Sequence, residues 1–287
     1  MQTRWYSNGS HNFRGFEKMK IGIIGYGVVG KAAAHTLSKK YKIVKFDKYA
    51  EYDKFEDLEQ CDFVFISVPT PFDCDKNKVD ESAITESLDK LEKIGFVNVV
   101  IVKSTVPPGA CNRYSEKYNL NIVFNPEFLR ESTTPNEDFE NQDTIVIGTD
   151  NSETFESVKK MYQAVSVPHA RYYHTTPTEA EMIKCAQNTM LASRVALANM
   201  IYDACQNHGI EYDKIRQIAF DNFEILGPHM VQVPGPDGKR GFGGKCLPKD
   251  VRGFSTIHDS ELLRKIIEYN DSLRDDLDKF LMNFKKT

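Results

Sequence analysis

Short apolar runs alternate with helix-like stretches from Lys20 to about residue 175. The runs are KIGIIG (20–25), KIVKFD (42–47), DFVFISV (62–68), VNVVIVKS (97–104), LNIVFN (120–125) and TIVIGT (144–149). Each is continuously apolar rather than alternating, which suits a strand covered on both faces and hence a parallel sheet with helical crossovers. The pattern predicts an α/β fold class, a doubly wound parallel-sheet domain over residues 19–175.

The pattern then changes. Residues 176–208 predict one long helix: Thr176 caps it, Pro177 suits its first turn, Glu179 completes a capping box and Gly209 ends it. Further helices are expected at about 211–222, 249–258 and 260–285. Between them PGPDGKRGFGGKCLPKD (234–250) is too rich in Gly and Pro to be other than a shaped loop. Residues 176–287 are thus expected to form a second, all-helical domain. Residues 1–18 show no periodicity and are expected to be a leader or tag outside the fold.

Composition narrows the function. A chain of 287 residues is long enough for two domains with a buried core. A net charge of -4 without a basic run argues against nucleic-acid or membrane-surface partners, so an anionic ligand needs a local positive cluster. No apolar run reaches the length of a membrane span. The 6 cysteines form no C-x-x-C pair and no metal-ligand spacing, so no metal is expected and a reduced, cytoplasmic setting is.

Candidate chemistry gathers at a few places. Gly25-Tyr26-Gly27-Val28-Val29-Gly30 follows one strand and opens a helix, the arrangement of a Rossmann-type dinucleotide turn. Its glycines allow a tight turn, close approach to a pyrophosphate and close helix packing. Asp47 ends the next strand, where a carboxylate accepts from a ribose diol and repels a 2′-phosphate; this favours NAD over NADP, although the neighbouring Lys48 pulls the other way. Lys184 and Asn188 share a face of the long helix and together can polarise a hydroxyl or carbonyl. Around Cys246 the chain carries Lys239, Arg240, Lys245, Lys249 and Arg252 against Asp237 and Asp250, a field that favours a nucleophilic thiolate. The same glycine-rich loop can cradle a diphosphate. Thr70, Ser104-Thr105 and the stretch Asn125–Glu131 follow the third, fourth and fifth strands, at the sheet edge where α/β proteins meet their ligands.

GIIGYGVVG, VPTP, KSTVPPG, NPEFLRES, the Lys184/Asn188 helix and GFGGKCLPKD together resemble the UDP-glucose/GDP-mannose dehydrogenase family, over about residues 19–275. The resemblance implies oxidation of a nucleotide sugar at C6, from alcohol to carboxylate, with two NAD⁺. Cys246 would be the nucleophile forming a thiohemiacetal and then a thioester, and Glu127 would assist thioester hydrolysis. Lys184 and Asp250 would hold a water and stabilise an oxyanion, and Asn188 would position the sugar. Thr105 and Glu131 would face cofactor and reacting centre, with Asp47 on the ribose. Phe128, Leu129, Arg130, Lys239, Arg240, Phe242 and Gly243 are the remaining substrate-side candidates, and Gly25, Gly27, Val28, Val29, Gly30, Lys48, Thr70 and Ser104 the remaining cofactor-side ones. The long helix would be a homodimerisation element. The family's third, nucleotide-binding domain has no counterpart in the match, so a separate chain supplying it is an expected partner. Two further readings stay open: a β-hydroxyacid dehydrogenase, which gives Cys246 no role, and an NAD-binding dimer module acting as a scaffold. NPEFLRES and CLPKDVR resemble the GDP-mannose branch and VPTP the UDP-glucose branch, leaving the sugar nucleotide undecided.

Overall fold

The computed structural model describes residues 19–130 and 134–274. Its first half alternates strand and helix: β1 (Lys20–Ile24), α1 (Val28–Leu37), β2 (Lys42–Phe46), β3 (Phe63–Ile66), a hairpin of β4 (Phe72–Asp73) and β5 (Lys78–Val79), α2 (Ser82–Lys93), β6 (Val99–Val102), α3 (Ala110–Lys117), β7 (Asn121–Phe124), α4 (Pro135–Glu140), β8 (Thr144–Gly148), α5 (Ser152–Gln163) and β9 (Arg171–Thr175). Seven strands form one sheet in the order β2-β1-β3-β6-β7-β8-β9. The order reverses between β1 and β3, which opens a ligand crevice at their carboxyl ends.

Both faces of the sheet are buried. Ile21, Phe63 and Ile101 pack on one side with α1 residues such as Ala33 and Leu37, and Ile24, Val64 and Val102 pack on the other with Ile84 and Leu88 of α2. Two-sided burial is why these strands read as unbroken apolar runs.

The sheet is mainly parallel, as expected, with one exception. The pairs from β2 through β7 are parallel, but β8 meets β7 antiparallel through the single pair Phe124↔Gly148, and β9 then runs parallel to β8. The connection from β7 to β8 does not cover the sheet as a crossover does, because its helix α4 packs against α1.

The second half is helical: α6 (Pro177–Asn207), α7 (Tyr212–Arg216) running into a π turn (Gln217–Asp221), α8 (Leu247–Ile257) and α9 (Glu261–Leu273). Thr176 and Glu179 form the expected capping box, and Gly209 closes α6 at φ 64, in the left-handed region that glycine tolerates. Helix α8 begins earlier than expected: the shaped loop stops at Cys246, and Leu247–Asp250 already form its first turn. The start of α6 lies on β8, where a side chain at Gly148 would meet Ala180 Cβ at 2.7 Å. Helix α8 packs on the β4–β5 hairpin, with Gly253 leaving room for Val79. These contacts, with those of α6 on β7 and α3, join the halves and set α6 and α8 across the carboxyl edge of the sheet. Among the described residues no helix is long and apolar enough to cross a membrane.

Candidate active site

At the switch point the chain makes its tight turn. Gly25 has φ 88, and a side chain there would strike the Ser67 carbonyl at 2.5 Å. A side chain at Gly30 would strike the Gly25 carbonyl at 2.1 Å, so α1 sits hard against the turn. Gly27 is different: it is the N-cap of α1, offers no side-chain cap, and has open space where a Cβ would be. The first amides of α1 therefore open on a gap suited to a pyrophosphate. Close by, the buried Ser67 hydroxyl oxygen has no hydrogen-bond partner among the described residues. Val28 and Val29 are half-buried in the first turn of α1.

Asp47 lies beside this gap and is already braced, accepting from the Tyr26 amide at 2.8 Å and the Tyr49 amide at 2.9 Å. A carboxylate has about four acceptor positions, so ribose hydroxyls can still be accommodated. Lys48 turns to Glu86, at 2.9 Å. Glycine turn, open helix end and acid together fit an NAD-type dinucleotide. Thr70 and Ser104 are buried under the crevice, donating to the Thr105 and Val68 carbonyls at 2.8 and 2.7 Å.

A continuous series of contacts runs from this edge to Cys246. Glu127 is buried; its Oε1 accepts from the Phe128 and Leu129 amides at 2.8 and 3.1 Å. Its Oε2 lies 3.1 Å from Lys103 Nζ, close enough for charge pairing but without a hydrogen bond of good alignment. Lys184 is buried on α6, with its ammonium 5.3 Å from the centre of the Phe128 ring and 3.5 Å from Asn188 Oδ1. Asn188 donates to Asp250 Oδ2, whose other oxygen accepts from Lys249. Cys246 is the N-cap of α8 and is exposed, one turn before Asp250. Burial works to lower the Lys249 pKa, but the charges of Asp250 and the Cys246 sulfur outweigh it and hold the ammonium above its usual value. A helix N-terminus and a paired lysine thus both favour negative charge on that sulfur.

Other candidates are placed elsewhere. Arg130 is exposed and grips Asp138 at 2.6 Å. Leu129 packs into the sheet core. Arg240 reaches Asp203 at 2.5 Å and stacks over Tyr202, so it braces α6. Phe242 is buried with Ala192, Val251 and Leu263, and its amide donates to Asn270 Oδ1 at 2.6 Å. Gly243 leaves room for Arg274, whose guanidinium carbon would lie 2.5 Å from a Cβ there. Arg252 is tied to Asp271 at 2.6 Å. Lys239 lies in the same loop, its amide held by Asp237 at 3.1 Å. Of the five basic residues expected around the cysteine, Lys249 is the one held against the site, while Lys245 is exposed. Glu131 lies outside the described residues.

Sequence reasoning missed three groups. Lys103 ends an apolar strand, and that interruption was its signal. Lys249 was counted only as part of a basic field. Glu181 is fully buried and accepts from the Gly109 and Cys111 amides at 2.5 and 2.7 Å, binding α6 to the start of α3.

Comparison with known proteins gives two matches to one family. Residues 48–166 match the model described as "UDP-glucose/GDP-mannose dehydrogenase family, NAD binding domain", and residues 178–272 match the same family's central domain. A UDP-glucose 6-dehydrogenase of Rickettsia bellii is 34% identical over 227 residues, covering 75% of this chain and 50% of that protein. One of Bacillus subtilis is 30% identical over 229 residues, covering 75% of this chain and 50% of that protein. The chain therefore spans about half the length of these relatives. A solved UDP-glucose dehydrogenase from Pyrobaculum islandicum superposes with a TM-score of 0.77 at 24% identity, over 90% of this chain and 69% of that one. A UDP-D-ManNAc dehydrogenase from Pyrococcus horikoshii gives 0.77 at 21% identity, over 89% and 69%. At these identities the structural likeness speaks for the fold alone.

Proposed function

The chain belongs to the UDP-glucose/GDP-mannose dehydrogenase family, and on that premise we propose that it oxidises a nucleotide sugar at C6 from alcohol to carboxylate, with residues 19–175 holding NAD and residues 176–287 carrying the cysteine. The observation that supports this best is the series Glu127, Phe128, Lys184, Asn188 and Asp250, each touching the next, which ends one helical turn from the exposed Cys246. An enzyme that only interconverted alcohol and ketone, such as a β-hydroxyacid dehydrogenase, would leave that cysteine without work.

NAD⁺, when bound, supplies the acceptor for both oxidations; the α1 N-terminus, Gly27 and Asp47 would hold it. The chain's own residues do the rest. Cys246 adds through sulfur to the C6 aldehyde, giving a thiohemiacetal that a second oxidation converts to a thioester. Charge grows on the former aldehyde oxygen, and Lys184 supplies the nearby cation. Asn188, anchored by Asp250, is placed to orient the sugar hydroxyls. Glu127 takes a proton from the water that attacks the thioester, and the Cys246 thiolate leaves.

The apolar residues Ile183, Met190 and Leu197 recur at a seven-residue spacing and are exposed along α6, facing away from buried Lys184 and Asn188. A second copy of the chain is the occupant we propose for that stripe.

The deciding experiment follows NADH and sugar acid with UDP-glucose and GDP-mannose. Two NADH per acid, lost in Cys246→Ser, is the expected result. An acid formed at the original rate by that variant would overturn the assignment.

A further inference from the structure

Lys103 has no role in the reaction as laid out above, yet its side chain is wholly buried, with 0% exposure. It stands at the end of β6. Its Nζ donates to Asn125 Oδ1 at 2.8 Å and faces Glu127 Oε2 at 3.1 Å. Asn125 Oδ1 also accepts from the Tyr162 hydroxyl at 2.5 Å, and its amide nitrogen donates to the Val146 carbonyl at 2.6 Å. The asparagine is thus fixed at both ends and aims the lysine.

An ammonium and a carboxylate buried together keep each other charged, and either alone would tend to neutralise. Glu127 Oε1 accepts from two amides, and Oε2 is buried against the Lys103 ammonium. Three ionisable groups belong to the charge cluster around this carboxylate, two acting on it directly and Lys184 through its repulsion of Lys103. Lys103 stands at the end of β6, Lys184 on α6 and the Tyr162 phenol on α5. Burial, reinforced by the Glu127 charge, keeps that phenol protonated. Burial also pulls the Lys103 ammonium below its usual range; Glu127 opposes the shift and Lys184 adds to it.

We propose that Lys103, itself aimed by Asn125, is a positioning residue for Glu127, its ammonium fixing the Oε2 side of the carboxylate so that the group is held in place for the hydrolytic step. The proposal rests on the function stated above. Lys103 itself transfers no proton: the water proton goes to the Glu127 carboxylate, the water oxygen to the thioester carbon, and the departing electron pair to the Cys246 sulfur.

The test follows the Lys103 ammonium by NMR, its signal identified by loss in Lys103→Met. In Glu127→Gln that ammonium should lose its proton at lower pH than in wild type, as expected for removing an opposite charge at this range; no movement would overturn the proposal. In turnover, Lys103→Met should keep a rapid burst of NADH while steady-state acid formation drops at least about tenfold, with recovery in Lys103→Arg. A loss shared equally by both phases, as from a purely structural lysine, would overturn it as well. If no nucleotide sugar yields NADH with the wild-type chain, the proposed function fails while the Lys103 titration still decides whether the two groups are coupled.

Discussion

Replacing Glu181 by alanine should be among the most damaging single changes that leave every reacting group in place. Glu181 sits on α6 one turn before Lys184, and its carboxylate takes the Gly109 and Cys111 amides at the start of α3. Hydrogen bonds to a charged group contribute about 1.5–3 kcal/mol each, and orphaning a buried donor costs about 1–3 kcal/mol. Relief from burying the charge offsets part of that, so Glu181→Ala should lose about 3 kcal/mol at neutral pH. Glu181→Gln keeps one acceptor and should lose roughly half as much. Burial raises the Glu181 pKa above the usual range, outweighing the lowering by the two amides and Arg113. A carboxyl raised in the folded state favours folding most below its unfolded pKa, and that contribution is lost as pH rises through the folded value. Wild type should therefore gain on Glu181→Gln as the solution is acidified. Asp138 behaves oppositely: Arg130 pushes its pKa down to about 2, so its contribution is present near neutrality and lost as pH falls through that value. Urea unfolding of wild type, the two Glu181 variants and Asp138→Asn across a pH series measures both effects. A loss under about 1 kcal/mol in the alanine variant, or a wild-type advantage over glutamine that grows as pH rises, would refute the reasoning.

Iodoacetamide on the native protein should label Cys246 and Cys74, the two exposed thiols, and spare the buried Cys61, Cys111, Cys185 and Cys205, as peptide mass spectrometry would report. Cys74→Ser should leave sugar-acid formation unchanged, whereas Cys246→Ser should abolish it. Calorimetry should show NAD⁺ preferred to NADP⁺, and Asp47→Asn should weaken NAD⁺ by about tenfold, the equivalent of one charge-assisted hydrogen bond; wild-type preference for NADP⁺ would contradict the role given to Asp47. Leu197→Asp, placed in the exposed stripe of α6, should shift sedimentation from dimer to monomer, and a wild-type chain that already sediments as a monomer at micromolar concentration would remove the dimer reading.

Much of the sheet was legible because burial on both faces writes a strand as an uninterrupted apolar run. Strand β9 was not, since RYYHT lies at the sheet edge, largely exposed, and carries no such run. The β4–β5 hairpin has two residues per strand, too few for any periodicity. The capping box and closing glycine of α6 were legible because both are local chemistry. Local charge counting misled around Cys246: Arg240 and Arg252 are near it in sequence, but their partners Asp203 and Asp271 come from α6 and α9, distant in the chain. Lys103 and Glu127 were hard to join for the same reason, because only strand pairing sets the ends of β6 and β7 side by side.

Helix α6 presents Ile183 to solvent and Lys184 to the site, adjacent residues on opposite duties of one rod. An α-helix is torsionally stiff, so it cannot roll on one face without rolling on the other. Side-chain tips lie about 6 Å from the axis, and a roll of about 10° would carry the Lys184 end by about 1 Å. A misplacement of that size can cost a hundredfold in rate. Whatever grips the outer stripe therefore also sets the dial reading of the inner lysine, and a change of grip far along the rod would be felt at the reacting carbon as a loss of aim.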